Sequence, residues 1–274
     1  MSNVRRVFFV SDRTGITAEA LGHSLLTQFA VATEQVTIPF IDSVERAQAA
    51  LRRIHTAAAE DDCRPIVFST IIDPEILAVL RHSEGLVLFD FFDTFIGPLE
   101  RELKVPSSHV IGRSHGIADD STYDVRIDAI NFTLNHDDGA TLRHYSRADV
   151  ILVGVSRSGK TPSSLYLALQ FGIYVANYPL TDEDLSGLRL PRVLEQQRDK
   201  LFGLTIDPDR LHSIRSERRP NSHYAELRQC EYEVARAESM FRREGIPYLD
   251  ITTMSIEEIA STLIHQRGLV RRVY

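Results

Sequence analysis

The sequence predicts an α/β fold in two parts, an N-terminal α/β domain over residues 1–145 and a C-terminal domain over 146–274. Two observations carry this. Apolar strand-like runs alternate with helix-length segments along nearly the whole chain, an order that builds mostly parallel sheets covered by helices. The length, 274 residues, suits one large domain or two modest ones.

The elements follow in order. VRRVFFV (4–10) reads as a strand, and TAEALGHSLLTQF (17–29) as a helix with Leu21, Leu25 and Phe29 on one face. VTIPF (36–40) is a short strand. The segment 43–60 is a helix placing Val44, Ala47, Leu51, Ile54 and Ala58 together, with Ser43 as N-cap. PIVFST (65–70) is a strand, and Asp73–Pro74 opens another helix with Pro74 at its first position. LVLFDFF (86–92) reads as a buried strand, and 104–120 as a long loop. YDVRIDAINFTLNH (123–136) returns to helical spacing through Ile127, Ile130 and Leu134, and a polar connection follows. The domain boundary is expected near 140–146. Beyond it, strands are expected at 149–155, 174–180, 201–206 and 247–252, and helices at 161–172, 207–217, 226–245 and 255–268.

Composition narrows the function classes. The net charge is −7, so no basic footprint for nucleic acid dominates. No apolar run approaches the ~20 residues of a membrane span, and the N-terminal run is too short for a secretory leader. Cys63 and Cys230 lack metal-like spacing and read as free thiols of a reducing compartment. A cytoplasmic protein is expected. Lysine occurs only at Lys104, Lys160 and Lys200, against 28 arginines, and one of the three stands where a phosphate loop needs it.

That loop is GVSRSGKTPSS, residues 154–164, with G-x-x-x-x-G-K-T spacing between an apolar strand and an amphipathic helix. The setting makes the C-terminal domain P-loop kinase-like. Backbone N–H groups of Gly154, Val155, Ser156, Arg157, Ser158, Gly159, Lys160 and Thr161 would cradle phosphate at a helix N-terminus. Lys160 would neutralise terminal phosphates, and Thr161 would ligand Mg²⁺. Pro162 is tolerated in the first helical turn.

The acidic partner has several candidates. Asp207 and Asp250 each end an apolar strand, and either orders a cation or caps the next helix. HDDG groups His136, Asp137 and Asp138, which either hold a metal or activate a hydroxyl, or form a solvated turn. SDRTGITAE (11–19) crowds Ser11, Thr14 and Thr17 around Gly15 and is either a second anion or peptide site or plain capping. His115, in RSHG, is a loop histidine. IRSERRPNSHY (214–224) is basic and reads as a mobile segment facing phosphate, an acidic partner or water.

Taken together, SDRTGITAEALGHSLLTQF, HDDG, VILVGVSRSGKTPSSLYLALQFG, ANYPL, KLFGLTIDPDRL and SIEEIA resemble the pyruvate, phosphate/water dikinase regulatory proteins. They span nearly the whole chain in order, and Gly159 before the lysine favours the phosphoenolpyruvate synthase branch. The resemblance implies a bifunctional enzyme. It would phosphorylate a threonine of the dikinase with ADP as donor, and remove that phosphate with inorganic phosphate, releasing pyrophosphate. It also implies a nucleotide site over Gly154–Thr161, a protein substrate and a homodimer. With Mg²⁺ as the expected cation, Lys160, Asp137, Asp138 and Asp207 are the candidate catalytic groups. Two other functions fit the residues alone: a P-loop kinase of small molecules, and a non-enzymatic nucleotide sensor.

Overall fold

The structure, a computed structural model, describes residues 4–60, 64–108, 120–187 and 189–273. It is α/β throughout and divides into two compact units, Met1–Ala118 and Asp119–Tyr274.

The first unit runs β1 (Arg5–Val10), α1 (Ile16–Leu26), β2 (Thr33–Ile38), α2 (Val44–Glu60), β3 (Ile66–Ser69), α3 (Pro74–Arg81), β4 (Val87–Asp90) and α4 (Phe91–Leu103). Its strands form one parallel sheet in the order β2-β1-β3-β4. Alternation along β1 serves both faces. Phe8 and Val10 join the core under α2 and α3, and Val7 and Phe9 join the core under α1. The predicted face of α2 is inward at Ala47 and Ile54, and Ser43 accepts the Arg46 N–H at 3.3 Å as N-cap. Asp73 caps α3 through the Glu75 and Ile76 N–H groups, with Pro74 in the first turn, a device worth about 1 kcal/mol.

Two expectations fail here for physical reasons. The stripe Leu21, Leu25 and Phe29 points outward, at 45%, 50% and 66% exposure. The face of α1 that meets the sheet carries Ala18 and Gly22. A Cβ on Gly22 would lie 2.4 Å from the Phe9 ring and 2.8 Å from the Phe68 ring, so the stacked phenylalanines take the space that a larger helix residue would need. The run LVLFDFF is not one strand. Asp90 ends β4 and caps α4 by accepting the Asp93 N–H at 2.8 Å. Phe91 is buried but belongs to the first turn of α4. Helix α4 itself has no counterpart in the sequence expectation, and most of the loop expected over 104–120, with His115, lies outside the described residues.

The second unit runs α5 (Asp120–Asn135), β5 (Val150–Gly154), α6 (Lys160–Phe171), β6 (Val175–Pro179), α7 (Asp182–Gly187), α8 (Arg192–Glu195), β7 (Leu201–Thr205), α9 (Pro208–Arg218), α10 (Leu227–Glu244), β8 (Tyr248–Asp250) and α11 (Ile256–Arg267). Its parallel sheet has the order β6-β5-β7-β8. Val150 and Leu152 pack into the α6–α11 layer, while Ile151 and Val153 pack into the layer that holds α10. The chain leaves β5 toward β6 on one side and reaches β7 on the other. The C-terminal ends of β5 and β7 therefore flank the crevice in which such sheets bind ligands.

The seam at Ala118/Asp119 lies ahead of the expected 145/146. The reason is α5, which packs on α6 and β6. Its buried residues are Ala129, Phe132, Thr133 and the following His136, while Ile127 and Leu134 are turned out. Thr133 Oγ1 accepts the Val175 N–H at 3.3 Å, and the Phe132 ring stacks on Tyr174 at 5.1 Å. A fragment of residues 119–274 should accordingly unfold cooperatively in urea. One of 146–274 should lose that transition, since stripping out Phe132 alone costs about 3–5 kcal/mol.

Candidate functional site

The loop between β5 and α6 is built by exclusion. A Cβ on Gly154 would lie 2.5 Å from the Leu204 carbonyl oxygen and 2.6 Å from Ser158 Oγ, so only glycine lets the strand end this close to β7. Gly159 caps α6 with φ 71°, in the left-handed region glycine tolerates, and no side chain caps that helix. Arg157 is also left-handed, at φ 74°. Among the described residues no protein group accepts the N–H of Gly159, Lys160 or Thr161. The Ser158 hydroxyl is fully buried with no hydrogen-bond partner among the described residues. An anion at the N-terminus of α6 would meet these free donors and the positive end of the helix dipole.

Lys160 is 3% exposed, and its Nζ donates to the Val155 carbonyl at 2.9 Å. Burial holds the amine down to about 8, against the pull of Asp138 and Asp137 in the other direction. Thr161 Oγ1 donates to Asp137 Oδ1 at 2.7 Å. Asn177 Nδ2 donates to the same carboxylate oxygen, and Asn177 Oδ1 accepts the Asp138 N–H at 2.8 Å. The HDDG stretch is thus a 3-10 turn, Asp137–Gly139, fastened to β6 with Asp138 held left-handed at φ 47°. His136 fixes its base, with Nδ1 2.6 Å from the Phe132 carbonyl and Nε2 2.7 Å from that of Arg143. Asn177, buried in β6, has no signal in the sequence beyond the ANYPL run that contains it.

The other candidates fare differently. Asp207 ends the β7 connection and caps α9, accepting the Arg210 N–H at 3.0 Å. Asp250 accepts the Thr252 N–H at 2.9 Å. No hydrogen bond among the described residues joins either to Lys160 or Thr161. In the first unit, Ser11 Oγ accepts the Arg13 N–H at 3.2 Å. Asp12 is buried and takes the Ile72 N–H, with its carboxyl pushed up by desolvation. Neither Thr14 nor Thr17 caps α1. The basic segment 214–224 belongs to the fold. Arg215 is fully buried in α9, paired with Glu233 of α10, and Tyr224 Oη is 2.9 Å from Ser156 Oγ. Both were missed, because a lone Arg and a lone Tyr in a polar run carry no periodic signal.

A parallel α/β sheet with an uncapped helix N-terminus, a buried amine and a carboxylate–hydroxyl pair at its switch point has the arrangement in which α/β proteins bind anionic ligands. The sequence profile of the kinase/pyrophosphorylase family matches residues 7–264, and the chain belongs to that family. It is similar over its full length to a protein of Halorhodospira halophila, at 82% identity over 273 residues, with all of both chains covered. A protein of Alkalilimnicola ehrlichii is 64% identical over 275 residues, again with both chains covered in full. One of Legionella pneumophila is 54% identical over 270 residues, covering 98% of this chain and 99% of its own. Each is provisionally designated a phosphoenolpyruvate synthase regulatory protein.

Two outcomes are expected at Lys160. Its folded-state value of about 8 lies below the ordinary 10.5. Between those values the unfolded chain binds more protons, so this group's contribution to stability rises with pH across that window. Lys160→Met should remove the rise and stabilise the fold by about 1–3 kcal/mol at neutral pH, read from urea unfolding at pH 7 and 9. A bound polyanion should pull the amine back to its charged form. Pyrophosphate binding at pH 8.5 should then take up protons and weaken as pH rises, as calorimetry in buffers of different ionisation enthalpy would register.

Proposed function

We propose that this chain is a bifunctional regulator of phosphoenolpyruvate synthase. In one direction it moves the β-phosphoryl group of ADP to a threonine hydroxyl of the synthase, leaving AMP. In the other, inorganic phosphate attacks the phosphothreonine, restoring the hydroxyl and releasing pyrophosphate. The observation that carries this is the Lys160–Asp137–Thr161 cluster at the mouth of a glycine loop with free N–H donors. The family and the names of its relatives supply the direction of the reading.

The residues suit the chemistry. The 154–161 loop, read as a P-loop, binds the two phosphates of the donor through backbone N–H groups. Lys160 neutralises charge on the transferred group, which needs the same positioning for a β- as for a γ-phosphoryl. Thr161 Oγ1 and Asp137 Oδ1, 2.7 Å apart, form a hard-oxygen pair that fits Mg²⁺. There the cation would shield the phosphate charge. Asp138 lies on the same turn and its charge acts on Lys160, which supports giving it the role of accepting the threonine proton. Asp207 keeps a structural part as cap of α9. In the reverse direction the same loop holds the inorganic phosphate.

The test uses the full chain, phosphoenolpyruvate synthase, Mg²⁺ and β-labelled ADP. Label should appear on a threonine of the synthase, and later addition of phosphate should release labelled pyrophosphate. Transfer from γ-labelled ATP to small hydroxyl compounds, with none to the synthase, would overturn the reading. Asp138→Asn should slow transfer by about 10²–10⁴-fold while leaving ADP binding within a few-fold.

A further inference from the structure

We infer that Arg215 is a positioning residue that sets the 154–161 loop in its anion-accepting form, with Tyr224 as its second arm. The inference rests on reading that loop as a phosphate cradle and says what holds the cradle open.

The Arg215 side chain has no solvent exposure. Its fork meets Glu233 at both ends, Nη1 to Oε1 at 3.0 Å and Nη2 to Oε2 at 2.6 Å. The same two nitrogens reach past the carboxylate. Nη1 donates to the Tyr224 carbonyl and Nη2 to the Ser156 carbonyl, each at 3.0 Å. The guanidinium lies over the Tyr224 ring at 4.2 Å, and that ring's hydroxyl is 2.9 Å from Ser156 Oγ. Ser156 is therefore held twice, by its carbonyl and by its hydroxyl, from two different segments of chain.

Stability alone does not account for this arrangement. A buried ion pair is often no better than apolar residues of the same volume, and Arg215 Nε has no partner among the described residues. What apolar residues cannot do is hold a carbonyl oxygen. The peptide unit is planar and trans, so the carbonyl of Ser156 and the N–H of Arg157 point in opposite directions. Drawing the Ser156 oxygen inward to Arg215 turns the Arg157 N–H outward, to the side where phosphate would lie. Arg157 is left-handed without being glycine, and such a residue persists only where its surroundings fix it. Left-handed residues within a loop gather successive N–H groups into an anion-binding concavity. Arg215 fixes the peptide that begins that turn.

The test separates positioning from packing in the full chain. Arg215→Met alone leaves Glu233 buried and unpaired, and both stability and binding should fall. In the double variant Arg215→Met, Glu233→Leu, no buried charge is orphaned. Melting should recover to within a few degrees of wild type, while pyrophosphate and ADP bind about tenfold more weakly or worse. A double variant with wild-type melting and wild-type affinity would overturn the inference. Should it fail to fold, Arg215→Lys decides. It keeps the charge opposite Glu233 but cannot reach both carbonyls, so affinity should drop with melting retained, and unchanged affinity again defeats the idea. Tyr224→Phe should weaken pyrophosphate binding by a smaller factor. If the wild-type chain itself binds neither pyrophosphate nor ADP, the cradle reading fails and takes this inference with it. Binding by the wild type with no loss in the variants defeats the positioning role alone.

Discussion

The second unit depends on one costly placement, a lysine ammonium taken out of water at the end of a parallel strand. Among the described residues Lys160 Nζ has a single carbonyl acceptor, with the charges of Asp138 and Asp137 acting from further off. Among the described residues one carbonyl leaves two of the ammonium's three donors unmet. The rest of the site answers this deficit. Gly154 lets β5 end close against β7, and β6 contributes Asn177 to hold the HDDG turn alongside. The site gathers free donors and a buried positive charge in one place, and an anion carrying several charges would answer both.

Asp137 shows how the fold divides labour between neighbours of the same type. Its carboxylate is engaged twice, by Thr161 and by Asn177, and is fixed in direction. Asp138 follows it in a strained left-handed conformation, held through its own N–H, and its carboxylate accepts no hydrogen bond among the described residues. Two adjacent carboxylates thereby acquire different environments, one bound and one free. That is the usual way in which a pair of acids comes to play two parts.

Much of the architecture around the loop is legible in the sequence. The glycine loop, its strand and its helix were readable because they combine a rigid spacing with a change of hydrophobic period at Lys160. The caps at Ser43 and Asp73 follow from local chemistry, whereas Asp207, read either as a candidate catalytic group or as a cap, is the cap of α9. What escaped was set by distance. The pairing of Arg215 with Glu233, and the reach of Asn177 to the HDDG turn, join residues that no local rule connects. Helix α4 escaped because Phe91 and Phe92 extend the apolar run of β4 past the point where Asp90 turns the chain. Helix α5 was recognised, but its assignment to the second unit was not. Its buried face uses Ala129, Phe132 and Thr133, whereas Ile127 and Leu134, two of the three residues that suggest a face, point outward.

Helix α1 makes the same point with a longer reach. Ile16, Leu21 and Leu25 lie on the outside, and its smallest residue meets two stacked rings. The usual expectation for substitution is therefore inverted along this helix. Leu21, Leu25 and Phe29 are sites where sequence can drift with little penalty to the fold. Gly22 is a site where the addition of one methyl group must displace Phe9 or Phe68, and with them the centre of the sheet. A substitution map of the segment would find its most intolerant position at the residue with no side chain.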